Sequence, residues 1–148
     1  MLINLITLNN RTDYGKIELL YGAKSPADLC FKEELKNWNK YANVYLTVDK
    51  GDKHWQEYVG FVPQVLETIN PSNEDKVAFV CGPPIMIKIV LDRLRKMGFP
   101  DKHIITTLEM KMKCGVGKCG RCNIENRYIC IDGPVFTVEE LNKLRWIE

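Results

Sequence analysis

The chain has 148 residues, of which 45% are hydrophobic, and a formal charge of +2. That length gives one ordinary domain's worth of core, and that charge excludes strong polyanion binding as the default. No apolar run approaches the roughly 20 residues needed to cross a bilayer, and neither an internal repeat nor a low-complexity stretch is evident, so a soluble protein is expected.

Apolar runs alternate with helical patterns, which implies a parallel α/β sheet. Leu2, Ile3, Leu5, Ile6 and Leu8 read as a buried helix ending near Asn9 to Asp13, and Lys16 to Tyr21 reads as a strand. Ser25, Pro26 and Asp28 offer an N-cap, a proline at the first helical position and an acid in the first turn, predicting a helix to about Tyr41. Ala42 to Val48 is the next strand, followed by a turn at Asp49 to Asp52. Gly60 leads into a short helix over about Pro63 to Ile69. After the Pro-Ser-Asn loop at 71–73, Lys76 to Cys81 reads as a buried strand. Pro84 to Met97 then forms a helix with Ile85, Ile89, Val90 and Leu94 on one face, stopped by Gly98. Ile104 to Leu108 is the last strand before a small module: a cysteine loop, a hairpin through Tyr128 to Ile131, and a helix capped by Thr137 with Glu140.

Cys114, Cys119, Cys122 and Cys130 stand in the frame C-x4-C-x2-C-x7-C, with Gly115, Gly117 and Gly120 between the first three. The x4-then-x2 spacing is that of plant-type ferredoxins, in which thiolates from one tight loop converge on two irons and the fourth ligand arrives from elsewhere. Glycines let such a loop turn sharply and bring amide N–H groups close to sulfur. Structural zinc also accepts four thiolates, but usually from two short knuckles across a longer spacer, and only one knuckle closes at x2 here. Disulfides need an oxidising compartment. The N-terminus lacks a signal peptide's charged and then apolar regions, and six cysteines, with Cys30 and Cys81 outside the frame, fit a reducing cytoplasm better. A 2Fe-2S cluster is the favoured reading. Lys111, Lys113, Lys118 and Arg121 crowd the loop. They could balance a negative cluster, dock an acidic partner, or simply be solvated.

Ligand crevices of parallel α/β sheets lie at the carboxyl ends of the strands. Two such ends read Tyr21-Gly22-Ala23-Lys24 and Cys81-Gly82-Pro83-Pro84. Gly22 and Gly82 allow close backbone approach, Lys24 offers charge to a phosphate or ribose, and the helix after Pro84 presents its positive end. Glycines and prolines punctuate most strand-to-helix turns, so spacing alone leaves nucleotide binding open. Cys81 by itself is more often a small buried hydrophobe than a reactive thiol.

The order Tyr-Gly-Ala-Lys at 21–24, Thr-Val-Asp-Lys at 47–50, Cys-Gly-Pro-Pro-Ile-Met at 81–86, Met-Lys-Cys-Gly-Val-Gly-Lys-Cys-Gly-Arg-Cys at 112–122 and Asp-Gly-Pro-Val-Phe at 132–136 resembles the ferredoxin-NADP reductase superfamily. Within it, the chain looks like the electron-transfer subunits that end in a 2Fe-2S module: sulfhydrogenase gamma, its counterpart in anaerobic sulfite reductase and, more distantly, that of dihydroorotate dehydrogenase. The resemblance covers essentially the whole chain. It implies a Rossmann-like NAD(P)-binding domain over 1–108 and a cluster module over 109–148. A pyridine nucleotide would pass a hydride to a flavin, FAD in this family, which sends single electrons through the cluster to a partner such as a hydrogenase or sulfite reductase. By position, Tyr21, Gly22, Ala23 and Lys24 would lie on the adenosine side, with Asp49 lining the same crevice. Cys81, Gly82, Pro83 and Met86 would sit at the nicotinamide end, Cys81 being the catalytic candidate. Cys114, Cys119, Cys122 and Cys130 would hold the cluster. Glu109 could help form the nicotinamide environment, an ordinary surface carboxylate being the plainer reading.

Family members carry an N-terminal flavin-binding β-barrel, then a first strand and a glycine-rich pyrophosphate loop, and none of these appears before Leu2. In the family's strand order 3-2-1-4-5 the absent strand is the central one, between Lys16 to Tyr21 and Lys76 to Cys81. At roughly 1 to 3 kcal/mol for each unmade buried hydrogen bond, two open edges rival the roughly 5 to 15 kcal/mol that stabilises a domain. The chain is therefore expected not to fold alone. It is the C-terminal part of a longer protein, or a flavin-domain partner supplies barrel and strand, or the remaining strands close up in a rearranged sheet. The alternative function is a non-catalytic 2Fe-2S carrier or docking subunit with a vestigial nucleotide site. Neither function involves nucleic acid or membrane insertion.

Overall fold

A computed structural model of the chain describes residues 15–144. The apolar segment Leu2 to Leu8, expected to be helical, lies outside them. The chain divides into two compact units, 1–68 and 69–148.

In the first unit, β1 (Glu18–Ala23), β2 (Asn43–Val48) and β3 (Tyr58–Val59) form a parallel sheet in that order. Asn-Val-Tyr-Leu-Thr-Val is rich in β-branched and aromatic residues that pack on a pleated surface, and its last two, Thr47 and Val48, are fully buried. The strand expected at Lys16 to Tyr21 begins and ends two residues later. β3 was not expected. It is two residues long, and the loop before it is tied down by Trp55, whose Nε1–H donates to the Tyr58 carbonyl at 2.8 Å.

The helix expected from Ser25 to Tyr41 is broken. The Ser25 hydroxyl donates to the Asp28 carboxylate at 2.6 Å and caps no backbone N–H. Pro26–Asp28 make a single 3-10 turn, Leu29 then runs extended, and Phe31 takes a left-handed φ of 58° before α1 (Lys32–Trp38). The break buries Leu29 and lets the Cys30 N–H donate to the Tyr21 hydroxyl at 3.1 Å, two gains that a continuous helix would forgo. α2 (Val62–Ile69) buries Pro63, Val65 and Leu66, as its short apolar stripe predicts.

The second unit contains β4 (Ala78–Val80), α3 (Pro84–Lys96), β5 (Ile104–Thr107), a hairpin of β6 (Asn123–Ile124) and β7 (Arg127–Tyr128), the single-turn α4 (Ile129–Asp132), β8 (Val135–Thr137) and α5 (Val138–Lys143). β4 and β5 are parallel, but β8 adds to β5 antiparallel, so the sheet is mixed. The expected buried strand Lys76 to Cys81 shrinks to three residues, of which only Val80 is buried. Phe79 remains 57% exposed. Among the described residues β4 pairs only with β5 and β1 only with β2, so each has an edge without a strand beside it.

α3 buries Ile87, Val90, Leu91 and Leu94. The face anchored on Ile85 and Ile89 turns outward instead, because 87, 90, 91 and 94 fall at i, i+3, i+4 and i+7 and make the continuous stripe. Gly98 ends the helix at φ +85°, as read from the sequence. The hairpin lies earlier than Tyr128 to Ile131, closing at Glu125 with φ +48°, and Ile129–Asp132 is a helical turn. Behind it a small core gathers Leu108, Cys122, Ile124, Ile129, Phe136 and Leu141. Thr137 and Glu140 form the expected capping box: the Glu140 N–H donates to Thr137 Oγ1 at 3.2 Å and the Thr137 N–H to Glu140 Oε2 at 2.8 Å. Arg95 of α3 forks onto Asp101 at 2.8 and 3.3 Å and reaches Asn142 of α5 at 2.9 Å, fastening the C-terminal helix to the unit.

Candidate iron-sulfur loop and nucleotide cleft

Between Cys114 and Cys122 the chain winds without helix or strand. Gly115, Gly117 and Gly120 adopt φ of +71°, +70° and +69°, a conformation that L side chains resist. These turns aim backbone amides at sulfur. The Gly117 N–H donates to Cys130 Sγ at 3.2 Å, and those of Lys118 and Cys119 donate to Cys114 Sγ at 3.3 and 3.4 Å. A Cβ on Gly117 would collide with Ile131, so glycine is what lets the loop lie against α4. Cys130 rides on that turn, which Asp132 pins by accepting from the Tyr128 N–H at 2.6 Å and from Arg127 Nη1 at 3.0 Å. Cys122 is buried in the small core, whereas Cys119 faces solvent.

The loop polarises its thiols unequally. The Cys114 pKa is drawn down to about 6, chiefly by the Val116 amide, then by the Cys119 amide and thiol and the Lys118 amide. Cys130 is pushed up, first by the Cys122 thiol beside it and then by burial, with the Gly117 N–H opposing. Cys114 thus feels the Cys119 thiol, and Cys130 feels that of Cys122 and, more weakly, that of Cys114. Among the described residues no three Cys, His, Asp or Glu side chains are grouped to hold one metal ion. Four cysteines, two of which accept backbone amides at sulfur, are a donor set that fits an iron-sulfur cluster.

The other sequence candidates fall at strand ends. Tyr21 to Lys24 close β1 and Asp49 follows β2. The parallel register continues past both strands, with the Asp49 N–H donating to the Ala23 carbonyl at 3.1 Å and the Lys50 N–H to that of Lys24 at 3.2 Å. Lys24 and Asp49 are exposed on this edge. Gly22 has a packing role: a Cβ there would collide with Val62 and lie 3.3 Å from Thr47 Cγ2. In the second unit Met86 folds over Gly82 closely enough that a Cβ would strike its methyl, and Pro83 is exposed at the start of α3. Cys81 is exposed, not the buried hydrophobe of the plainer reading. It lines a cleft of about 480 Å³ with Thr107, Leu108, Glu109, Met110, Met112 and Pro134. Gly82, Pro84 and Ile87 line a smaller neighbouring pocket of about 130 Å³, which shares Thr107 to Met110. Glu109 belongs to both. Thr107 and Met110 carry no motif of their own and were missed, and Met112, which opens the 112–122 stretch, was not read as a cleft residue; only their place at and just after the end of β5, in the segment leading to Cys114, marks them.

A strand-end turn beside a cleft, with a cysteine loop downstream, accords with an NAD-binding oxidoreductase fold of the ferredoxin-NADP reductase type carrying a C-terminal iron-sulfur-binding region. The chain belongs to the oxidoreductase NAD-binding domain family, whose model matches residues 3–92. Residues 109–142 match the iron-sulfur cluster binding domain of dihydroorotate dehydrogenase B. It is 36% identical over 142 residues to sulfhydrogenase 1 subunit gamma of Pyrococcus furiosus, covering 90% of this chain and 48% of that protein. It is 33% identical over 132 residues to the probable dihydroorotate dehydrogenase B (NAD(+)) electron transfer subunit of Thermococcus kodakarensis, covering 89% and 51%. A solved NADH-dependent reduced ferredoxin-NADP oxidoreductase superposes with a TM-score of 0.65 at 25% identity, over 88% of this chain and 46% of that one. The chain thus spans about half the length of the curated relatives it matches. No described helix is long and apolar enough to cross a membrane.

Proposed function

We propose that this chain is the nucleotide-binding and iron-sulfur portion of a cytoplasmic electron-transfer subunit. Electrons would pass between NAD(P)H, an FAD held by a flavin-binding domain or subunit, a 2Fe-2S cluster and a catalytic redox subunit such as a hydrogenase or sulfite reductase. The observation that carries this reading is the glycine-rich loop, whose left-handed turns direct three backbone amides onto the sulfurs of Cys114 and Cys130. A diiron cluster asks for two thiolates at each iron, whereas zinc asks for four around one ion. When bound, the cluster would supply one-electron storage between the two-electron chemistry of the nucleotide and the partner. Cys114 and Cys119 would serve one iron, Cys122 and Cys130 the other, and the amides of Gly117, Lys118 and Cys119 would offset the charge on sulfur.

Residues 1–108 make the nucleotide part in this reading and 109–148 the cluster module. Cys81, Gly82, Pro83 and Met86 take the nicotinamide end, where the cleft that Cys81 shares with Glu109 is within the size range of small-molecule sites. Tyr21, Gly22, Ala23, Lys24 and Asp49 take the adenosine end. The similarity to an electron transfer subunit and a sulfhydrogenase subunit supports a redox complex. The chain is expected to be inactive without the flavin-bearing part.

Anaerobically purified protein should contain iron and acid-labile sulfide in equal amounts, about two of each per chain. After dithionite it should show a half-spin paramagnetic species at cryogenic temperature. One zinc with no sulfide would overturn the assignment. NADH or NADPH should bleach the cluster absorbance only when a flavin-domain partner is added, and no bleaching in either case leaves the non-catalytic carrier.

A further inference from the structure

We infer that the cysteine loop is the docking face for an acidic redox protein. The inference rests on the cluster reading above and goes beyond it by fixing the partner's chemistry. Residues 109–122 contain Lys111, Lys113, Lys118 and Arg121 against the single carboxylate Glu109, a net of +3. The whole chain carries +2, so the remaining residues sum to −1, and the protein's positive charge is concentrated on this loop. All four cations are exposed, and none is in an ion pair among the described residues.

Two further observations separate docking from mere charge balance. Among the described residues the cysteine sulfurs of the loop are met by backbone amides and by one another, and no hydrogen bond from a Lys or Arg side chain reaches them. The cations therefore address solvent. Exposed apolar side chains adjoin them: Val116, between Lys113 and Lys118 in the chain, is 60% exposed, and Ile131, 62% exposed, lies against Gly117 of the loop. Exposed apolar side chains rimmed by charge of one sign suit a protein surface of opposite sign, which steers encounter electrostatically and then excludes water at the centre. Cys119, the loop's exposed cysteine, sits between Lys118 and Arg121 in the chain, so a partner seated here lies close to it.

The test titrates the full chain into two isotope-labelled probes watched by NMR: flavodoxin, a small acidic redox protein, and cytochrome c, a basic one. Flavodoxin should show shifts on its acidic surface, with affinity falling about tenfold or more from about 20 to about 200 mM salt. Cytochrome c should show none. The double variant Lys118→Glu/Arg121→Glu should reverse this preference, and Val116→Ser should weaken flavodoxin binding without changing its salt dependence. Equal response to both probes, or a double variant that still prefers flavodoxin, would overturn the inference. So would a variant that moves the reduction potential while leaving the preference intact, or an RNA oligonucleotide that binds where flavodoxin does not. Iron analysis keeps the two readings apart: an iron-free chain that still selects flavodoxin sinks the cluster reading alone, and an iron-bearing chain without selectivity sinks the docking face alone.

Discussion

Gly117→Ala tests the loop geometry on which the iron-sulfur reading stands. Gly117 has φ +70°, where an L residue costs roughly 1 to 2 kcal/mol. Its new Cβ would collide with Ile131 Cδ1 and approach Cγ1 to 2.9 Å. Ile131 is largely exposed and can swing aside, so this term should fall near the low end of overpacking, about 1 kcal/mol. Gly115 is the internal control, since its φ is +71° but nothing lies within 4 Å of a Cβ there. Gly115→Ala should therefore cost the strain alone, and Gly117→Ala about 1 kcal/mol more, roughly a fivefold difference in the population of the closed loop. The double variant Gly117→Ala/Ile131→Ala should return to the Gly115→Ala level. The readout is the rate at which an iron chelator bleaches the cluster under anaerobic conditions. Equal rates for the two single variants would remove Ile131 from the loop, and wild-type rates for both would refute the left-handed turns themselves.

Arg95→Ala breaks the fork onto Asp101 and the link to Asn142; with both charged groups about 30% exposed, the loss should be near 1 kcal/mol and should lower the thermal midpoint more than the exposed control Lys88→Ala. The same fork makes a pH prediction. Hydrogen bonding from Arg95, with help from Asn142, holds the Asp101 carboxyl below its ordinary value, so its stabilisation is full above that value and disappears as pH falls through the folded one. Arg95→Ala should accordingly flatten the acid limb of stability below about pH 4, and an unchanged limb would show that Asp101 does not set it. Thr137→Ala removes the acceptor of the Glu140 N–H and should cost about 1 kcal/mol, read from urea midpoints. Cys81→Ser should leave the paramagnetic signal of the reduced cluster intact while slowing bleaching by NAD(P)H in the presence of a flavin partner; equal bleaching rates would take Cys81 out of the nicotinamide end.

The fold was most readable where one residue pattern has one physical solution. Thr137 followed by Glu140 can satisfy two orphan amides at once, and the capping box is there. Gly98 ends α3 because a left-handed residue is needed at that point. Reading failed where local and tertiary preferences compete. Ser25-Pro26 is a sound helix start, yet the Ser25 hydroxyl goes to Asp28, and the burial of Leu29 pulls the chain out of the helix within one turn. The stripe of α3 was half placed: Val90 and Leu94 are buried as read, but Ile85 and Ile89 are as apolar as Ile87 and Leu91, and only a strict i, i+3, i+4, i+7 count separates them. β8 could not be read at all, because Val-Phe-Thr after Asp-Gly-Pro has no partner in its own neighbourhood and pairs with β5 about thirty residues back.

The two halves of the candidate site differ in legibility for a chemical reason. Thiolates in a C-x4-C-x2-C frame have few uses, and the glycines between them are required twice over, once for left-handed turns and once for amides that face sulfur. A glycine at a strand end has many uses. Gly22 drew attention as a place where a nucleotide might approach the backbone, but in the fold that space is filled by Val62, and helix packing on the sheet accounts for the residue unaided. Gly82 is likewise covered by Met86. What singles out the second unit's strand end is something the motif does not contain: the segment leaving β5 brings Glu109, Met110 and Met112 beside Cys81 and then runs on within a few residues to Cys114. A ligand in that cleft would touch the lead-in to the cysteine loop directly, and this short covalent path, more than any glycine, ties the proposed nucleotide end to the proposed cluster.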